Sequence, residues 1–478
     1  MQILKNFFYN LSYQILVLIL PLITVPYVSN VLGTNGLGDY AFTYANMQYF
    51  IIFGMIGISL YGSRQIAYVR DDKQMLKNNF YSIYLVQVIA MILSSIIFLF
   101  FVFYFNTGLY KSLYLTQGIN ILAALIDISW FFIGIEQFKK TVLRNTIVKL
   151  ISLANIFIFV KNVDDIIIYT LILGLANFLG NLTLWFYIPK TLGIKNLEIG
   201  GLPKHLKASI SLFIPQVAIQ IYIVLSKTLL GVFTDTSQVA YYENSQKLIN
   251  IALTVATAIG TVMMPKIANT VSTGDIDKVK YYIKNSFFFM NAISIPLTFG
   301  LLGIAKEFSP LFFGKNFIGI EKLVMIGSIN ILIISWSNVL GSQLLIPLNR
   351  TREFTASVTV GAFINLILNI IVLKYMGSVG ASITTVIAEI AVTATQMYLL
   401  RNFLNMYELI KSILLFFPAA LIMFGVVRAV GEFMGVKILT VVAQIGLGGV
   451  IYLVSIFVLY KLIYKKNIVT YIKYMIKN

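Results

Sequence analysis

Glu243, Lys247, Asn250, Thr254, Thr257 and Thr261 recur at intervals of four and three along an otherwise apolar stretch. That spacing places them on one face of a helix. A lysine, an amide and hydroxyls aligned in this way can hold an anion, the ammonium acting as a point charge for phosphate. Gln216, Gln220 and Lys227 share a second apolar stretch, Gln117, Asn120 and Asp127 a third, and Ser382, Thr385, Glu389, Thr393 and Gln396 a fourth. Such faces avoid lipid; they either glue helices together or line a wet cavity. Packing accounts for most of the Ser and Thr, less well for the charges. Asp127 and Glu389 lie near the middle of their stretches, where a carboxylate points to an ion pair, a proton carrier or a cation site.

Lys227 and Lys247 flank a turn centred near Ser237, ten residues away on either side. On an antiparallel helix pair they reach the same depth and together suit a phosphate. The alternative is that both snorkel to the headgroups. Both readings stand for Lys227; for Lys247 the polar face favours the cavity.

The elements that carry these residues follow from composition. The chain has 478 residues, 59% apolar and 11% charged, with mean hydropathy +0.87. Apolar stretches fall at 9–32, 40–62, 80–105, 116–135, 145–160, 166–188, 209–232, 241–263, 285–305, 321–345, 355–374, 378–400, 410–428 and 438–462. A bilayer needs about 20 apolar residues per helix. Lipid cannot satisfy backbone polar groups, and these runs are too long and continuous for barrel strands. The fold class is therefore an all-α integral membrane protein of about fourteen transmembrane helices.

With the N-terminus in the cytoplasm, 26 of the 36 Lys and Arg fall in inside segments and 8 in outside segments. This bias predicts cytoplasmic termini. It also explains the net charge of +18 by contact with anionic headgroups, so nucleic acid is not an expected partner. Without cysteine there is no disulfide and no thiolate metal site.

The segments before 67 and 268 align without a gap at an offset of 201. Tyr40 falls on Tyr241, the turn Gly33–Asp39 on Thr234–Ala240, and Arg64–Ala67 on Pro265–Ala268. Six stretches separate the copies, so both have one orientation. The expected architecture is two six-helix lobes, 1–195 and 196–402, related by a pseudo-two-fold along the membrane normal and facing a central cavity. Residues 403–478 add two helices and a basic cytoplasmic tail. Duplicated lobes around a midplane site suit alternating access. Pro21 and Pro26 predict a bend in the first stretch.

Enzyme chemistry finds little support. His205 is the only histidine and lies in a basic loop; there is no P-loop, no HExxH and no long soluble segment. No cofactor or metal is expected, apart from a coupling ion, H+ or Na+.

The segments Asn10–Ile15, Pro21–Gly33, Gly36–Tyr40, Gly57–Ala67, Asp127–Lys139 and Tyr241–Lys247 resemble Wzx-type polysaccharide flippases of the multidrug/oligosaccharidyl-lipid/polysaccharide exporter superfamily. The resemblance implies transfer of an oligosaccharide repeat unit on undecaprenyl pyrophosphate from the inner to the outer leaflet of a bacterial cytoplasmic membrane, serving capsule, exopolysaccharide or other surface polysaccharide. Partners would be that lipid-linked sugar, membrane lipids, glycosyltransferases and a polymerase. By position, Arg64 and Lys247 are carried over as pyrophosphate contacts. Arg64 lies at the cytoplasmic mouth, where a positive-inside anchor is its other reading. The alternatives are a MATE-like cation-coupled multidrug exporter, which Asp127 and Glu389 would suit, a lipid II flippase, and a membrane polymerase or scaffold, which the short outside loops disfavour.

Overall fold

The computed structural model describes residues 2–189, 192–193 and 197–464; side chains at 2–18, 138–143, 212, 214–216, 218–219, 221–222 and 463–464 are not described. The basic tail beyond 464 lies outside the described residues, as does the side chain of Gln216. The helices are α1 (Gln2–Met55), α2 (Ile58–Val69), α3 (Lys73–Phe105), α4 (Gly108–Leu125), α5 (Ser129–Gly134), α6 (Phe138–Phe159), α7 (Ile166–Trp185), α8 (Leu202–Phe233), α9 (Thr236–Ser272), α10 (Ile276–Phe313), α11 (Ile320–Ser337), α12 (Thr351–Leu400), α13 (Met406–Lys411), α14 (Ile413–Met434) and α15 (Ile438–Tyr464). No strand occurs among the described residues. All fourteen apolar stretches fall largely on helix, and ten continuous spans are long and apolar enough to cross a membrane.

Glycine divides two of the long helices. Gly33 interrupts α1 with φ 65°, and Gly377 interrupts α12 with φ 51°. Positive φ costs glycine little and L-residues more. The break at Gly33 recurs 201 residues later, where α8 ends at Phe233 and Thr234 leaves helical geometry. The repeat read from sequence thus has a matching backbone break. Pro21 and Pro26, in contrast, lie inside α1 with the only non-helical dihedrals at Gly33.

The chain separates into two compact units, Met1–Ala240 and Tyr241–Asn478. This grouping is by packing, whereas the division at 195 and 402 was by repeat; α8 packs on α1, α2 and α3 of the first unit. In that unit Met47, Met91, Phe98 and Tyr114 form one core where α1, α3 and α4 meet. A second joins Phe80, Trp130, Phe131 and Phe132 with Ile58 and Ile66. In the second unit α14 and α15 pack on α10 through Phe416, Ala419, Ala420, Met423 and Tyr452. Large apolar side chains remain exposed along α3 and α15, among them Leu93, Ile96, Phe100, Val442 and Leu453. Such surfaces are unusual for a soluble protein and ordinary for one in lipid.

Candidate functional site

Arg64 is carried by α2, whose placement depends on a sharp bend. Ile56 (φ 43°) and Gly57 (φ 72°) turn the chain out of α1. The bend is held from α8, where Ser209 Oγ donates to the Ile56 carbonyl. A Cβ at Gly57 would lie 3.0 Å from the Ser209 carbonyl oxygen and 3.1 Å from Phe213, so sterics and positive φ both select glycine. Beyond the bend, Ile58, Tyr61, Gly62 and Ile66 form the buried face of α2. Gly62 abuts the Trp130 ring and Gly134 of α5 abuts Ile66; a Cβ at either would come within 2.6 or 2.7 Å of its neighbour. The opposite face exposes Leu60, Arg64, Ala67 and Tyr68. Arg64 Nε donates to Tyr68 Oη at 2.9 Å, one turn on, and the guanidinium carbon lies 5.5 Å from that ring's centroid. This bond uses Nε; the two terminal nitrogens form the fork that suits phosphate oxygens.

Asp127 lies in a break between α4 and α5. Its Oδ1 accepts the backbone N–H of Ser129, the first residue of α5, at 2.8 Å. An interrupted helix exposes carbonyls that lipid cannot satisfy. Here distant side chains take them in turn. Asn181 donates to the Ala123 carbonyl, Gln87 to those of Ala124, Leu125 and Asp127, and Trp185 to that of Ile126. Gln87 also accepts from Trp130 Nε1 at 3.0 Å. Arg144 in turn donates to Asn181 Oδ1 at 2.6 Å. Gln87 is fully buried and went unnoticed in the sequence; its signal is a lone amide in an apolar run.

The two polar stripes of the second unit differ. On α9, Asn250, Thr254 and Thr261 are exposed, while Glu243, Lys247 and Thr257 are half-buried. The three threonines return their hydroxyl protons to carbonyls of their own helix, at Asn250, Leu253 and Ala258. Their oxygens keep lone pairs toward the accessible side. Lys247 Nζ lies 3.5 Å from Asn244 Oδ1, a long and weak hydrogen bond. On α12 the stripe is packing: Ser382, Thr385, Thr393 and Gln396 are buried. Thr385 shares a hydrogen bond with Tyr242, Thr393 donates to the Ile333 carbonyl, and Gln396 donates to Ser357. Glu389 of that helix is half-buried.

In the first unit Lys227 is half-buried and Gln220 exposed on α8. Beside Lys227, Thr228 donates to Asn46 Oδ1 at 2.8 Å and ties α8 to α1. The structure thus places Arg64, Asp127, Gln220 and Lys227 in the first unit and Lys247, Asn250 and Glu389 in the second.

One further charged group was not singled out in the sequence. Glu307 of α10 is 3% exposed and pairs with Arg428 of α14. Gln444 of α15 donates to the same carboxylate at 3.1 Å.

Comparison with known proteins agrees with this architecture. The family described as "Polysaccharide biosynthesis protein" matches residues 3–271. A relative named for O-antigen transport in Escherichia coli (strain K12) is 25% identical over 80% of this chain and 93% of its own. Another, named as the low-salt glycan biosynthesis flippase Agl15 of Haloferax volcanii, is 25% identical over 44% of each chain. Among solved structures, the lipid II flippase MurJ in an inward closed conformation superposes with a TM-score of 0.78 at 17% identity, over 96% of this chain and 99% of that one. An inward-facing multidrug resistance MATE family transporter of the MOP superfamily gives 0.62 at 12% identity, over 82% and 96%. With the fold, the family match and these relatives in agreement, the chain belongs to the polysaccharide biosynthesis protein family.

Proposed function

We propose that this transporter moves an oligosaccharide repeat unit, linked to undecaprenyl pyrophosphate, from the cytoplasmic to the outer leaflet of a bacterial cytoplasmic membrane by alternating access, with both termini in the cytoplasm. The supporting observation is the accessible polar face of α9, with Asn250, Thr254 and Thr261 exposed on a helix apolar enough to span the bilayer. Exposed amides and hydroxyls at membrane depth are costly against lipid and favourable against water or sugar. A pyrophosphate and its sugars cannot cross hydrocarbon without such a surface. In the first unit we assign Arg64, on the exposed face of α2, and Lys227 to the pyrophosphate and Gln216 and Gln220 to the sugars; in the second we assign Lys247 to the pyrophosphate and Asn250 to the sugars. Of Asp127 and Glu389, Glu389 is the one we assign to coupling with H+ or Na+, because Asp127 already accepts the Ser129 backbone N–H. Glycosyltransferases would supply the substrate and a polymerase would consume the product, for capsule or exopolysaccharide.

The test is transport in proteoliposomes. A pyrophosphate-linked oligosaccharide placed in one leaflet is assayed by its exposure to a membrane-impermeant glycosidase. Protein should render the protected fraction accessible within minutes, while empty vesicles retain it. Equal accessibility with and without protein, or transport of organic cations alone, would overturn the reading.

A further inference from the structure

An apolar trough of about 720 Å³ opens in the first unit, where α1, α3 and the start of α8 meet. Phe53 and Ile56 of α1, Ala90, Leu93 and Ile97 of α3, and Leu206 of α8 line it, and no charged side chain does. Ser94 also lines it, but donates its hydroxyl proton to the Phe50 carbonyl. Along α3 the trough runs from Val86 to Ile97, about 16 Å at 1.5 Å per residue. That is roughly half the hydrocarbon thickness of a bilayer.

One end of the trough is basic. Pro203 and Leu206 line it from the first turns of α8, and Lys204 and Lys207 on the same turns are exposed. Ile56, which also lines it, immediately precedes Gly57 and the helix that carries Arg64. His205 Nδ1 and Tyr61 Oη are 2.7 Å apart, which brings that helix against the same turns of α8. Two cations, Lys204 and Lys207, therefore lie where the apolar walls end.

We propose that this trough holds the head-proximal part of the substrate's polyprenyl chain, while Lys204 and Lys207 meet its pyrophosphate at the lip. The inference rests on the lipid-linked substrate proposed above and assigns its tail a place. A chain moving from lipid into an apolar groove gains no hydrophobic free energy, since lipid tails are equally apolar. The trough therefore aligns the chain through packing, and the basic lip selects among lipids through charge. A pyrophosphate matches two cations better than does the single charge of a phospholipid phosphodiester.

The experiment uses the full-length protein in proteoliposomes and two photoactivatable probes, a diazirine-bearing polyprenyl pyrophosphate and a diazirine-bearing phosphatidylglycerol. The polyprenyl probe should label α3 between residues 86 and 97, with unlabelled polyprenyl pyrophosphate competing and excess phosphatidylglycerol not. Ala90→Trp, which fills the trough, should reduce that labelling about tenfold, a difference of about 1.4 kcal/mol. Ile92→Trp, on the exposed side of α3 away from the trough, should leave it unchanged. Lys204→Glu with Lys207→Glu should weaken labelling without altering its position. Equal labelling by both probes, or competition by phosphatidylglycerol, would identify ordinary bilayer lipid and overturn the proposal. Because wild-type labelling is read directly, a variant that fails to fold does not remove the test. Normal flipping with no specific labelling would reject the trough alone; specific labelling with no flipping would reject the transport reading alone.

Discussion

Arg428 Nη1 donates to both carboxylate oxygens of Glu307, at 3.2 and 2.9 Å, across 121 residues of sequence. Gln444 adds a third bond to the carboxylate and donates also to the Val427 carbonyl. The pair ties α14 and α15 to α10. Gly431 makes room for it, since a Cβ there would lie 2.7 Å from the carboxylate. Breaking a buried pair leaves an uncompensated charge, at a cost of about 3–5 kcal/mol, whereas replacing both members with apolar groups is often tolerated. Arg428→Leu should therefore destabilise the protein in detergent by about 3 kcal/mol. Arg428→Leu combined with Glu307→Leu should cost much less, as thermal unfolding of the two variants would show.

Gln87 holds the α4–α5 break through three carbonyls and the Trp130 indole, beside Asn181 and Trp185 on two further carbonyls. Each buried group left unsatisfied costs about 1–3 kcal/mol. Gln87→Leu should thus cost about 3 kcal/mol or more and raise hydrogen exchange at residues 125–131. Unchanged exchange there would show that other groups hold the break.

The α2–α5 contact positions Arg64 without touching it. Gly134→Val would force a branched side chain into Ile66, whose side chain would lie 2.7 Å from even a lone Cβ at that glycine. It should lower flipping about as strongly as Arg64→Ala, and proteolysis near residues 56–70 should quicken. Arg64→Ala should leave that proteolysis unaltered, which separates position from charge.

Arg64 and Lys247 are each assigned above to the pyrophosphate. Arg64→Lys keeps the charge and loses the planar fork, so flipping should fall about tenfold. Arg64→Ala with Lys247→Ala should abolish surface polysaccharide in a capsule-forming host. Normal polysaccharide from the double variant would remove both from the mechanism.

His205 lies before the apolar part of α8, where burial and the neighbouring Lys204 hold its pKa below the usual histidine value. The folded state therefore binds its proton less readily than the unfolded chain. The associated stability is complete above the unfolded value of about 6.5 and is lost as pH falls through the lower folded value. Protease resistance of residues 197–206 should accordingly drop on acidification below about 6.5. His205→Gln should flatten that dependence.

Sequence alone determined that the chain is helical and membrane-embedded, because uninterrupted apolar runs leave the backbone no other way to satisfy its hydrogen bonds in lipid. It also pointed to a repeat at an offset of 201, and backbone breaks fall at Gly33 and Thr234, positions that far apart. It picked out the stripes on α9 and α12 equally, since periodicity states which residues share a face and nothing about what packs upon it. Only tertiary structure separated the accessible stripe at Asn250 and Thr254 from the buried one at Thr385 and Gln396. For Asp127 the sequence leaves an ion pair, a proton carrier and a cation site open; its bond to the Ser129 backbone N–H appears only once the helix is seen to stop. Gln87 and Glu307 acquired their roles from partners 40 and 121 residues distant. Hydrogen bonds of that kind depend on which helices become neighbours, and no local pattern of residues records it.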